Sequence, residues 1–321
     1  MHNLLSVLLL LLFISCGTEK KPALEYSVHD VITLDFNVAK SEEKAVNNPF
    51  TNYRLEVDFT LAGQTVRVPG YYAADGNAGE TSADSGSVWR VHFRPQLTGD
   101  WNYHARVYQG EDVVFARTSV LEDKKPLLSE TGVIRVISAA PGTRGQLIRT
   151  HDRYLKWAGT DDYFLKAGAD SPENILAYEG FDGTYRYEAA NREGESTATK
   201  DFLHRFEPHL QDWKPGDLTW QDGKGKGLVG GLNYLASKGV NALYFLTMNI
   251  NGDGKDVWPY TTHEERRRFD VSKLAQWEKV FTHADDELGF MLHFVTAETE
   301  NETLLDNGDV GPDRRLYYRE L

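Results

Sequence analysis

Between residues 25 and 120 apolar and polar positions alternate in short runs. "VITLDFNV" (31–38) alternates clearly, and "YRLEVDFTLAGQTVRVPGYY" (53–72) reads as two strands about a turn at Ala62-Gly63. "SVWRVHFRP" (87–95) sets Val88, Arg90 and His92 against Trp89, Val91 and Phe93. "WNYHARVYQGEDVVFARTSV" (101–120) reads as a further hairpin about Gln109-Gly110. Period-two strands of this length, with Gly and Pro between them, predict a β-sandwich over 25–120. Trp89 and Trp101 fall in the alternation and read as core. "YYAADGNAGETSADSGS" (71–87) reads as an exposed loop. Its acids are too irregularly spaced for a calcium loop and read as solvated.

The period changes after the charged segment "LEDKKPLLSE" (121–130), the expected boundary of a second domain over 121–321. "GVIRVI" (132–137) and "GQLIRT" (145–150) read as its first strands. "RYLKWAGTDDYFLKAGAD" (153–170) reads as a hairpin turning at Gly159-Thr160-Asp161. A long polar and aromatic stretch then has loop character. "GLVGGLNYLASKG" (227–239) carries an apolar helical face and ends at Gly239, followed by the apolar strand "VNALYFLTMN" (240–249). "DVSKLAQWEKVFTHADDELG" (270–289) repeats the helix, with Leu274, Trp277, Phe281, Ala284 and Leu288 on one side. "FMLHFVT" (290–296) repeats the buried strand. Amphipathic helices alternating with buried strands predict a parallel sheet, as in a (β/α)8 barrel or a doubly wound fold.

In such sheets ligands sit beyond the C-terminal strand ends. Three loops occupy that position: one with Asp170, Glu173 and Asn174, one with Asn249, Asn251, Asp253, Asp256 and Trp258, and one with Glu298, Glu300 and Asn301. Carboxylates and amides beside aromatics suit sugar hydroxyls and the apolar faces of sugar rings. His293 reads either as pointing into a barrel or as a hydrogen-bonded core histidine. Asn249, Asn251, Asp253 and Gly254 imitate the start of an EF-hand, but position twelve is Tyr260, so a dedicated calcium loop is rejected and no metal is expected. "DGKGKG" (222–227) does not match a phosphate loop, no nucleotide fingerprint follows any strand, and no cofactor is expected. Glu298 and Glu300 would lie about 6–7 Å apart on one side of a continued strand. Coming from a single loop, they read as positioning groups rather than as a catalytic pair.

The net charge of −13 argues against nucleic acid as partner and is compatible with a neutral ligand. "LLSVLLLLLFISCG" is too short for an ordinary membrane span and reads as a secretion signal. Cys16 is the single cysteine, so no intrachain disulfide forms. Phe13-Ile14-Ser15-Cys16 resembles a bacterial lipobox, which implies lipidation at Cys16, a signal over 1–16 and a tether over 17–24. The expected location is the outer membrane or cell surface of a Gram-negative bacterium, with membrane contact through the anchor alone.

"DFLHRFEPHLQDW", "GLNYLASKGVNALYFLTMNINGDGKDVWPY" and "TAETENETLLDNGDVGPDRRLYYREL" resemble a family of secreted glycoside-hydrolase-like proteins of glycan-degrading Gram-negative bacteria. "NPF" (48–50), "VPGYY" (68–72) and "VHFRPQLTGDWNYHARV" (91–107) resemble the domain of unknown function 5060 that precedes their barrel. The resemblance implies an Ig-like sandwich followed by the N-terminal part of a (β/α)8 TIM barrel that acts on a polysaccharide or oligosaccharide, alongside other glycan-degradation proteins. A whole barrel takes about 250 residues, and residues 130–321 offer fewer than 200. The expectation is therefore a chain interrupted within the barrel, before the catalytic glutamates, and inactive in this form. The alternative is a non-catalytic carbohydrate-binding surface lipoprotein.

Overall fold

The computed structural model describes residues 24–151, 153–169, 171, 173–187, 203–252 and 254–321; the side chain of Glu300 also lies outside the description. The first unit is two sheets packed face to face. β1 (Leu24–Ser27), β8 (Leu128–Ile137), β7 (Gly99–Gln109), β3 (Tyr53–Leu61) and β4 (Gln64–Pro69) form one, in that order. β2 (Ile32–Glu42), β6 (Ser85–Phe93) and β5 (Tyr71–Tyr72) form the other. Alternation decides which side chains enter the core: Ile32, Leu34 and Phe36 of β2 are buried while Thr33 and Asp35 face out. The sheets meet through Phe59 stacked on Phe93 at 4.0 Å and Phe36 edge-on to Tyr103 at 6.3 Å.

The chain switches sheets at Gly70, between β4 and β5. A Cβ there would stand 2.3 Å from Leu55 Cδ2 and 2.7 Å from the Arg90 carbonyl oxygen, so only glycine lets the strands pass.

Three readings of this region are corrected. "GVIRVI" belongs to the first unit: Leu128–Ile137 pairs with β7 and with β1. Its buried Ile134 and Val136 alternate with exposed Arg135 and Ile137, the mark of a half-buried strand rather than a barrel strand. The second half of 101–120 is no strand. After β7 the chain makes a 3-10 turn at Val113–Phe115 and a short helix, α3 (Thr118–Glu122), because Val113 and Leu121 pack on Tyr108. The 71–87 loop is largely buried at its start: Tyr72, Ala73, Ala74 and Ala78 are covered. Ala78 opens a short helix, α2 (Ala78–Thr81), that packs on α5 (Val271–Thr282). Asp75 accepts from Asn77 N at 2.8 Å and Thr81 Oγ1 at 2.7 Å, so part of the loop's acidity caps its own backbone.

In the second unit the predicted hairpin forms as β10 (Tyr154–Trp157) with β11 (Tyr163–Phe164), and β9 (Leu147–Thr150) pairs on the other side of β10. α4 (Lys226–Ser237) precedes β12 (Ala242–Leu246), and α5 precedes β13 (Met291–Val295). β12 and β13 are parallel, with Tyr244 beside His293. Leu243 and Phe245 turn toward the helices and share a core with Leu228, Leu232, Trp277 and Val280. Ala167 and Glu173 bond to the other edge of β12: Asn241 N donates to Ala167 O at 2.8 Å and Leu246 N to Glu173 O at 2.9 Å. Among the described residues these units close no barrel. β13 is also not the buried strand its composition predicts. His293 and Phe294 are exposed, since among the described residues no strand pairs with its far edge.

The two units share one apolar core. Met248, Trp258, Tyr260, Phe269 and Tyr317 join the sandwich residues in a single cluster, with Phe50 of the short helix α1 (Pro49–Asn52) 5.3 Å from Phe269. Helix α6 (Pro312–Glu320) sends Arg319 Nη2 to Leu55 O at 2.7 Å and Gly70 O at 3.2 Å. At the N-terminus of α5, Asp270 caps Lys273 N at 2.9 Å, and Glu43 of the sandwich accepts from Val271 N at 3.2 Å. Burial, followed by the nearby Asp270 charge, pushes the Glu43 carboxyl up to about 7. A raised carboxyl pKa stabilises the protonated fold, so this contribution is present below the ordinary value of 4.5 and is lost as pH rises through about 7. Glu43→Gln is expected to flatten that fall, which is on the order of 3 kcal/mol. Urea unfolding of both proteins at pH 4.5 and 7.5 checks it; equal pH slopes would count against the assignment.

Candidate functional site

The C-terminal ends of β12 and β13 gather the three predicted loops. Leu246 N holds the Glu173 carbonyl, as above, and Asn174 Oδ1 accepts from Lys255 N at 3.4 Å. Met248 O accepts from Glu298 N at 3.2 Å, tying the loop after β13 to the loop after β12. Asn301 fixes the same junction. Its side chain, 2% exposed, takes Ile250 N on Oδ1 and gives Nδ2 to Ile250 O, both at 2.7 Å. A buried amide that satisfies both backbone groups of one residue is a rigid clasp.

Asn249 is fully buried. Its Nδ2 donates to Lys255 O at 3.0 Å, and its backbone exchanges two 2.8 Å bonds with Val257, closing the loop on itself. Gly252 lies against it: a Cβ there would meet Asn249 Oδ1 at 1.6 Å and Glu298 Cγ at 3.1 Å. Glu298 is part-buried beside that glycine and starts the turn Thr299–Asn301, whose Asn301 N bonds its carbonyl at 2.9 Å. Glu173, Asn249 and Glu298 are thus brought to one end of the sheet.

Other expected site residues lie elsewhere. Trp258 is 3% exposed and belongs to the shared core, edge-on to Tyr185 at 4.9 Å and to His263 at 5.3 Å. It cannot offer a face to a ligand: Val257 pairs back on Asn249, and the next residue turns inward. His293 lies mid-strand, on the sheet face opposite the helices, exposed and edge-on to Tyr244 at 5.1 Å. It is not a buried core histidine. Asp170 and Asp253 lie outside the described residues, as do the Glu300 side chain and Cys16.

Sequence reasoning did not single out His263, which is 4% exposed and stacked on Tyr187 at 3.4 Å. Burial holds its imidazole below the usual range, and its Nε2 stands 3.6 Å from Asp256 Oδ2. His204 is pulled down to about 4, first by burial and then by the Lys255 charge. The His204 ring is therefore neutral at pH 7, and burial of the His263 ring favours the same form. Among the described residues, the side chains placed at the strand ends are the amides of Asn249 and Asn301 and the carboxylate of Glu298.

Residues 25–108 match the profile of a domain of unknown function, DUF5060. Nothing among the curated proteins matches the chain. Among solved structures, the chain is similar to "a putative glycoside hydrolase from Bacteroides vulgatus ATCC 8482", with a TM-score of 0.50 and 15% identity over 85% of the chain. The chain spans 41% of that protein's length. At this identity the likeness concerns the fold.

Proposed function

We propose that the chain belongs to a surface lipoprotein of the glycoside-hydrolase kind, and that its strand-end loops contact a polysaccharide or oligosaccharide. In this reading the first unit is an Ig-like support and the helix–strand units are the N-terminal part of a (β/α)8 barrel. The observation that carries it is the clasp at Asn301, which fixes Glu298 and the Asn249 loop at the C-terminal end of parallel strands, where such folds bind ligands. The likeness in fold to a glycoside-hydrolase-like structure supports the same reading.

Hydrolysis needs two opposed carboxylates. In this reading Glu298, held through its backbone to Met248, and Glu173, held through its carbonyl to Leu246, serve sugar binding. Isothermal titration of the full chain with cellohexaose, xylohexaose and mannohexaose tests it. Glu298→Gln is expected to weaken binding at the strand ends at least about tenfold, by removing a charged acceptor for sugar hydroxyls. Affinity unchanged in Glu298→Gln and in Glu173→Gln would overturn the assignment.

The anchor is tested separately. Cys16→Ser is expected to abolish acyl labelling and to move the protein from the membrane pellet to the soluble fraction. Retention of the label in Cys16→Ser would refute lipidation there.

A further inference from the structure

A cleft of about 830 Å3 lies between β5 and β6 of the sandwich and helix α5. That volume lies within the range of ligand pockets, which favour such junctions. Because both units share one apolar core, the walls are held in place without a ligand.

Three polar groups from three elements converge on it. Tyr71 Oη is 2.7 Å from His92 Nε2 and 3.4 Å from Glu278 Oε2, and His92 Nε2 is 2.9 Å from Glu278 Oε1. Thr33 Oγ1 holds the other ring nitrogen of His92 at 3.0 Å. Burial works against the Glu278 anion, but the His92 contact and then the Arg90 charge hold its carboxyl below the usual range. The cations on the wall are engaged: Arg90 is bidentate to Asp35, at 2.7 and 2.8 Å, and Lys279 meets Glu80 at 2.8 Å. Such a wall offers hydroxyl and carboxylate partners rather than a seat for an anion. Phe281 and Phe294 supply aromatic surface, and Phe294 is 42% exposed.

We infer that this cleft is a second carbohydrate site, which takes a neutral oligosaccharide with hydroxyls on the Tyr71–His92–Glu278 cluster and a ring face on Phe294. It is separate from the strand ends, since Phe294 lies on the helix side of β13 and His293 on the other. Polar groups held by one another and one open aromatic face are what sugar rings require, having hydroxyl edges and apolar faces.

The test is titration of the full chain carrying Glu298→Gln, in which the strand-end contribution is weakened. The probes are cellohexaose, xylohexaose and mannohexaose, with an oligogalacturonate as the anionic comparison. Saturable binding of at least one neutral hexaose is expected, weakened at least about tenfold by Phe294→Ala and by Tyr71→Phe. Phe294 also packs on Phe245 and Phe281, so circular dichroism at the titration temperature first checks that each variant keeps the fold. Three results would overturn the site: no neutral hexaose binds, the two cleft variants bind as the parent does, or the oligogalacturonate binds more tightly. If Glu298 has no role in binding, the cleft variants still show their effect against a wild-type background, so the two proposals fail separately.

Discussion

Trp258→Ala is expected to lower stability by about 3–5 kcal/mol, the usual result of removing a buried aromatic side chain. The indole is 3% exposed and is packed by Tyr185, by His263 and by the Lys273 ammonium, whose Nζ lies 5.3 Å from the ring. It sits in the core shared by the sandwich and the second unit, so its loss opens a cavity where both units meet. Urea denaturation monitored by circular dichroism measures the change. A shift below about 1 kcal/mol, within the range of surface substitutions, would mean that the indole is not packed this way and would return Trp258 to the list of ligand-facing aromatics.

Lys273→Met is expected to cost a similar amount, about 3–5 kcal/mol at pH 7, because it leaves a buried carboxylate without its cation. Lys273 is 1% exposed. Its Nζ donates to the carbonyls of Trp258 and Tyr260, each at 3.3 Å, and stands 3.8 Å from Asp270 Oδ2. Burial pulls the ammonium down to about 8, with Asp270 and then Glu43 opposing. Burial also raises the Asp270 carboxyl, against the pull of Lys273. Methionine keeps the apolar stem and removes the charge, leaving Asp270 and Glu43 to face one another. The penalty should shrink as pH falls and Asp270 takes up a proton. Adding Asp270→Asn should restore much of the lost stability, since asparagine still caps the helix. A double variant no more stable than Lys273→Met would show that the two groups are not coupled.

The helix–strand units were legible because burial there follows a simple period. Trp277, Val280 and Ala284 face one core, and β12 is apolar on both faces since it is covered by helices on one side and flanked at both edges. The strands of the sandwich were legible for the same reason. What failed was partnership between segments distant in sequence. Nothing in "GVIRVI" names β7 as its neighbour, although the Ile134–Arg135–Val136 alternation already favoured a half-buried sheet. Valines at 113 and 114 read as strand, but Val113 turns inward onto Tyr108 and Val114 into the sandwich core instead.

The candidate site was legible as three loops and only partly as residues. Glu173, Asn249 and Glu298 lie at the C-terminal ends of β12 and β13, while Trp258, equally polar in its neighbourhood, is drawn into the core by contacts with Tyr185 and Lys273. The cluster of Tyr71, His92 and Glu278 left no trace in the sequence. Its members come from β5, β6 and α5, and only the packing of the two units brings them together.

Hydrogen–deuterium exchange of the full chain, with and without a saturating neutral hexaose, tests the strand-end site most directly. Ligand should slow exchange in peptides covering 247–252 and 296–302, where Asn301 clasps Ile250 and Glu298 follows β13. Saturated protein with no added protection in either peptide would contradict a sugar-contacting role for these loops.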